Sequence, residues 1–107
     1  NLANAGSFFK NPVVDPKTHA AIIAHTPNLI YHLLPDGNVK LSAGWMIEAC
    51  GWKGKRVGRM GVYDRQALVL VNHGGASAQE LMALAGAIQA SVHQRFGIRL
   101  EMEPSVI

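Results

Sequence analysis

Few side chains in this chain of 107 residues have the type and spacing that chemistry needs. The five histidines, His19, His25, His32, His73 and His93, form no HExxH motif and no His-x3-His pair. Two imidazoles are therefore not set on one helix face for a metal, and no metal ligand set is expected. Cys50, the single cysteine, stands in no reactive motif and reads as a small packing residue. Gly51–Gly61 interleaves glycines 51, 54, 58 and 61 with Lys53, Lys55, Arg56 and Arg59. Glycines let backbone amides approach an anion, and the cations would add to the attraction. The segment matches neither GxxxxGK[ST] nor GxGxxG, so a solvated basic loop is the plainer reading. Glu101 and Glu103, two apart, share one face of a strand, ordinarily a solvated one. Ser7, between Gly6 and Phe8, is ordinarily polar filler at a strand edge.

The elements that must position these side chains are legible in outline. Asn1–Gly6 is small and mostly polar, and Ser7–Asn11 reads as a short strand whose pairing Pro12 ends, since proline has no N–H. Asp15-Pro16 opens a helix, the aspartate capping and the proline in the first turn, and the helix stops before Pro27. A turn at Leu33–Asn38 leads into an extended Val39-Lys40-Leu41. Ala43–Cys50 suits a short helix with Trp45, Ile47 and Met46 turned inward. Gly51–Gly61 reads as a loop, Gly61-Val62-Tyr63 as a strand, and Ala67–Asn72 as a strand covered on both faces. Ser77 and Glu80 form a capping box, behind which Leu81, Leu84, Ala85, Ile88, Val92 and Phe96 recur at helical spacing. Gly97 ends that helix. Ile98–Glu103 then alternates apolar and polar as a strand does. The sum is an α+β fold: a small, mostly antiparallel sheet of about four strands packed with two or three helices.

Composition narrows the class. The length allows one domain and one core, which excludes a complete two-domain cofactor enzyme. Apolar runs fall far short of the ~20 residues of a membrane span. One cysteine gives no disulfide framework, and a reducing, cytoplasmic compartment fits. A net charge of +3 with 7% aromatics is too mild for a nucleic-acid surface. Only 16% of residues are charged while 49% are hydrophobic, which suits a domain that buries a face against a neighbour. The chain opens on Asn with no signal peptide in view, so it is expected to be a piece of something larger.

Taken together, Asn4-Ala5-Gly6-Ser7-Phe8-Phe9-Lys10-Asn11-Pro12, Lys40–Cys50 with Lys53-Gly54 behind it, Gln66–Asn72 and Leu100-Glu101-Met102-Glu103 resemble the ordered signatures of one family. It is the C-terminal domain of the UDP-N-acetylenolpyruvoylglucosamine reductases, flavoenzymes of peptidoglycan synthesis. The resemblance implies that residues 1–107 are a substrate-binding domain whose N-terminal FAD-binding domains lie outside this chain. It implies a reaction in which electrons pass from NADPH through FAD to UDP-GlcNAc-enolpyruvate, giving UDP-N-acetylmuramate. By motif position, Ser7 matches the general acid that protonates C2, and Glu103 the carboxyl group that steadies the enolate-like intermediate. As a hydrogen-bond donor Glu103 would have to be protonated. Asn11 and Gln66 match positions that hold the UDP-sugar through its diphosphate. Family members often carry an arginine close behind the glutamate, where this chain has Pro104-Ser105-Val106-Ile107, so the strand is expected to end at Pro104. Glu101 is the reserve candidate. FAD and NADPH would be bound mainly elsewhere, and the isolated chain should not turn over.

Two other readings stay open. A stand-alone domain could bind a nucleotide-sugar or another anion through Gly51–Gly61, with Lys55 and Arg56 as its main cations. A scaffold domain could dock through an apolar face.

Overall fold

The computed structural model describes residues 7–103. The opening Asn1–Gly6, including the first three residues of the Asn4–Pro12 motif, and Pro104 with its proposed strand end lie outside the described residues. The elements in order are β1 (Val13–Val14), α1 (Pro16–His25), β2 (Tyr31–Leu33), β3 (Val39–Leu41), α2 (Ala43–Ala49), β4 (Arg56–Val57), β5 (Met60–Val62), β6 (Leu70–Asn72) and α3 (Ala78–Phe96). The α+β class holds, with the strands divided more finely than the sequence suggests. There are two antiparallel three-stranded sheets, ordered β1-β3-β2 and β4-β5-β6.

Local chemistry explains most boundaries. Asp15 caps α1 by accepting from the Thr18 amide at 2.7 Å. Ser42 caps α2 through the Trp45 amide at 3.1 Å. In α3 the capping box is complete: Glu80 N donates to Ser77 Oγ and Ser77 N to Glu80 Oε1, each at 3.1 Å. Gly97 closes the helix at φ 71°, a left-handed conformation that costs glycine little.

Two expectations need correction. Pro12 does not end sheet pairing. It lacks a donor but keeps its carbonyl, which accepts from Leu41 N at 2.8 Å. The chain then pairs directly, Val13 opposite Lys40 and Val14 opposite Val39. Gly51–Gly61 is not simply a loop either, because it contains the β4–β5 hairpin, Arg56 opposite Gly61 and Val57 opposite Met60. Gly61 is closely packed there: a Cβ would sit 2.8 Å from His73 Nε2, displacing that side chain, and 3.3 Å from the Lys55 carbonyl. Tyr31–Leu33 forms a strand that pairs with β3, where the sequence alone assigns Tyr31 and His32 to no element and places Leu33 in the turn.

One core joins both sheets. Leu84, Ala85, Ile88, Val92 and Phe96 on α3 bury against Met46 and Ile47 of α2, with Leu41, Leu70 and Phe9 also enclosed. Leu81 and Trp45 pack only partly buried at its edge. Of the expected strand Ala67–Asn72 only Leu70–Asn72 pairs, as β6, while the apolar run is covered as expected, with Ala67, Val69, Leu70 and Val71 buried. After Gly97, Ile98 and Leu100 are buried while Arg99, Glu101 and Glu103 are exposed, so the alternation holds. The pairing itself is reduced to a single antiparallel bridge, Phe9 to Met102. Among the described residues no helix is long and apolar enough to cross a membrane.

The cap of α3 makes an expected result. Removing the Ser77 hydroxyl in Ser77→Ala should cost about 1 kcal/mol, read by urea unfolding. The Ser77 amide and the Arg59 guanidinium, 2.7 Å from Glu80 Oε1, hold the Glu80 carboxyl below its usual range. A depressed carboxylate stabilises the fold above its unfolded pKa of about 4.3, and that stabilisation is lost as pH falls through the lower folded value. Glu80→Gln should therefore flatten the acid limb of the unfolding profile.

Candidate functional site

Ser7, Gln66 and Glu103 are far apart in the sequence, and two backbone hydrogen bonds of Phe8 link the segments that carry them. Phe8 N donates to the Leu68 carbonyl at 2.8 Å, and the Phe8 carbonyl accepts from Glu103 N at 2.7 Å. Ser7 is thus one residue from a backbone group bonded to Glu103, while Gln66 lies two residues before the Leu68 carbonyl. The chain bends at Phe8. Strict pleating would send Ser7 and Glu103 to opposite faces, and the bend interrupts that alternation. Phe8 and Phe9 are 6% and 1% exposed with their rings edge to face at 5.3 Å, so the segment carrying Ser7 is anchored in the core. Ser7 itself is half-buried.

The glutamates differ in their neighbours. Glu101 lies opposite Lys10, taking its amide at 2.9 Å and facing its ammonium at 3.7 Å. Glu103 lies opposite Phe8, next to Ser7. Both side chains are exposed.

Gln66 lines an open cleft of about 290 Å³ with Arg65, Lys53, Trp45, Gly44 and Leu68. Lys53 Nζ lies 3.4 Å from Glu48 Oε1. Arg65 makes no ion pair among the described residues, leaving its guanidinium fork available to an anion. Lys53, Arg65 and Trp45 are the lining residues that spacing alone did not single out. Arg65 adjoins Gln66, and Lys53 and Trp45 fall in motifs already noted, but their convergence needs the fold.

Asn11 does not line this cleft. It borders a separate cavity of about 440 Å³ with Lys10, Val14, Arg99 and Glu101. Its Oδ1 accepts from the Ala43 amide at 2.9 Å, fastening the Ser7 segment to the start of α2. Ser42 and Gly44, on either side of Ala43, line the Gln66 cleft, so Asn11 connects to that cleft through α2.

The basic stretch is largely engaged internally. Lys55 lies over the Trp52 ring at 4.9 Å, Arg56 Nε donates to the Gly58 carbonyl at 3.0 Å, and Arg59 holds Glu80. An anion drawn to this hairpin would compete with those partners, which weighs against it as a phosphate cradle. None of its glycines stands in a strand-to-helix approach, so this stretch does not fit the phosphates of a dinucleotide. Burial pushes the Cys50 thiol upward in pKa despite nearby Arg95, as suits a packing residue. Among the described residues no three His, Cys, Asp or Glu side chains group as metal ligands.

Comparison with known proteins gives a consistent picture. Residues 1–107 match the family model described as UDP-N-acetylenolpyruvoylglucosamine reductase, C-terminal domain. A reductase of that name from Bordetella pertussis is 58% identical over 106 residues, covering 99% of this chain and 30% of the relative. One from Ralstonia nicotianae is also 58% identical, over 99% of this chain and 31% of its own length. One from Burkholderia mallei is 57% identical over 103 residues, 96% of this chain and 30% of the relative. The chain thus spans roughly a third of the length of these relatives.

Proposed function

Because the chain belongs to the family of UDP-N-acetylenolpyruvoylglucosamine reductase C-terminal domains, we propose that it is the substrate-holding and proton-donating part of such a reductase. In this reading its substrate is UDP-GlcNAc-enolpyruvate and the product of the whole enzyme is UDP-N-acetylmuramate. FAD and NADPH belong to the N-terminal domains, outside these residues.

The chemistry assigned to this chain follows from where charge develops. Reduction of the enolpyruvyl double bond at C3 leaves negative charge at C2, shared with the carboxylate as an enolate-like species. Such a carbon is a strong base. A serine hydroxyl, a weak acid in water, can protonate it when water is excluded. Ser7 is that donor. Glu103 is the group assigned to steady the developing charge. Gln66, with the Arg65 guanidinium beside it, free of ion pairs among the described residues, takes the diphosphate, where charge-assisted bonds are strongest. Trp45 offers an apolar wall to the same cleft, and Asn11 acts indirectly, fixing the start of α2 at the cleft's edge through the Ala43 amide.

The observation that supports this reading is the pair of bonds at Phe8, which links the segments carrying Ser7, Gln66 and Glu103. The full-length protein is expected to consume NADPH on addition of UDP-GlcNAc-enolpyruvate. Arg65→Ala in that protein should raise KM for the UDP-sugar about tenfold, the worth of one charge-assisted bond, and leave kcat within about twofold. An unchanged KM would remove the diphosphate from this cleft. Absence of NADPH-dependent turnover in the unaltered full-length protein would overturn the function.

A further inference from the structure

The strand that carries Glu103 is bonded by backbone along one edge and gripped by a side chain on the other. Among the described residues, Ile98–Glu103 makes its backbone bonds to the Ser7 segment, Lys10 N to Glu101 O at 2.9 Å and Glu103 N to Phe8 O at 2.7 Å. In extended chain the polar groups of residues 100 and 102 face away from those of 101 and 103. On that far side stands α3 rather than another strand. There Gln89 Nε2 donates to the Leu100 carbonyl at 2.7 Å, in a part-buried setting.

Leu100 is 0% exposed, so water does not reach its carbonyl, and a buried acceptor needs a partner. Gln89 follows Ile88, also 0% exposed, on a helix capped at both ends. The donor is therefore mounted on a rigid element. A cavity of about 240 Å³ bordered by Gln89, His93 and Arg99 lies beside it, and loss of the amide leaves the strand room to move.

We infer that Gln89 is a positioning residue: its grip on Leu100 sets where Glu103 stands relative to Ser7. This rests on the catalytic reading of Glu103 given above. Two other features fix the strand, the Phe9–Met102 bridge and the burial of Ile98 and Leu100. Gln89→Leu should therefore leave the protein folded while loosening the last residues of the strand.

The test uses the full-length reductase. In Gln89→Leu, reoxidation of reduced flavin by UDP-GlcNAc-enolpyruvate should slow about tenfold, since small displacements of a catalytic group are costly. KM for the UDP-sugar and NADPH-driven flavin reduction should each stay within about twofold. The Met102 and Glu103 amides should exchange with solvent faster than in the unaltered protein. Gln89→Lys, which keeps an N–H donor of similar reach, should recover most of the rate. Unaltered exchange, faster exchange with normal reoxidation, or an equal fall in both half-reactions would each overturn the inference. Glu103→Ala, measured alongside, separates the two claims. Normal reoxidation in Glu103→Ala removes the catalytic reading and the positioning role together. Slow reoxidation there with a normal Gln89→Leu removes the positioning role alone.

Discussion

Ser7→Ala in the full-length reductase is expected to slow flavin reoxidation by UDP-GlcNAc-enolpyruvate by roughly 10² to 10⁴-fold, the range a positioned general acid supplies. NADPH-driven reduction of flavin should stay within about twofold. The contrast between half-reactions is the point of the experiment, because only the second needs a proton at C2. The substitution removes one oxygen and leaves the bonds that hold the segment in place, Phe8 N to Leu68 O and Lys10 N to Glu101 O. The buried rings of Phe8 and Phe9 are untouched as well. A large kinetic loss with unfolding stability altered by less than about 0.5 kcal/mol therefore reports the missing proton rather than a displaced strand. Ser7→Cys, which keeps a dissociable proton in nearly the same place, should recover part of the rate. Equal loss in both half-reactions, or in neither, sinks the assignment.

How much of this was legible in the sequence depends on the range of the interactions. The caps of α1 and α3 are set by residues three apart, Asp15 with Thr18 and Ser77 with Glu80, and local spacing displays them. Gly97 stops α3 for a local reason too. The Pro12 reading failed because it counted the missing N–H and not the carbonyl, whose partner Leu41 lies far along the chain. The β4–β5 hairpin was hidden in Gly51–Gly61 because its strands are two and three residues long, too short for a period to show among glycines and charges. The candidate site was legible only through resemblance. Ser7, Gln66 and Glu103 carry no mutual spacing that periodicity can detect, and only the two backbone bonds of Phe8 link their segments. Asn11 shows the limit from the other side: its motif position suggests a ligand, whereas its oxygen already serves Ala43, 32 residues away. Spacing also leaves Glu101 and Glu103 equivalent. Only the register, Lys10 opposite one and Phe8 opposite the other, separates them.

The second large effect concerns the foundation of that register. Phe9→Ala is expected to destabilise the 107-residue chain by about 3–5 kcal/mol, as phenylalanine truncations in a core do. Phe9 is 1% exposed, stacks edge to face on Phe8 and lies opposite Met102, so its removal leaves a void between the Ser7 segment and the strand of Glu103. Domains of this size are stable by only about 5–15 kcal/mol, so urea unfolding should show the loss as a large fall in midpoint. Leu33→Ala, at a side chain 73% exposed on β2, is the control and should stay within about 0.5 kcal/mol. A loss below about 1 kcal/mol for Phe9→Ala would mean that the Ser7 segment is laid on the core rather than built into it. The bend at Phe8 could not then hold a proton donor to the tolerance that catalysis requires. A loss in the expected range makes packing the reason that two neighbouring phenylalanines follow the serine: they hold the hydroxyl still.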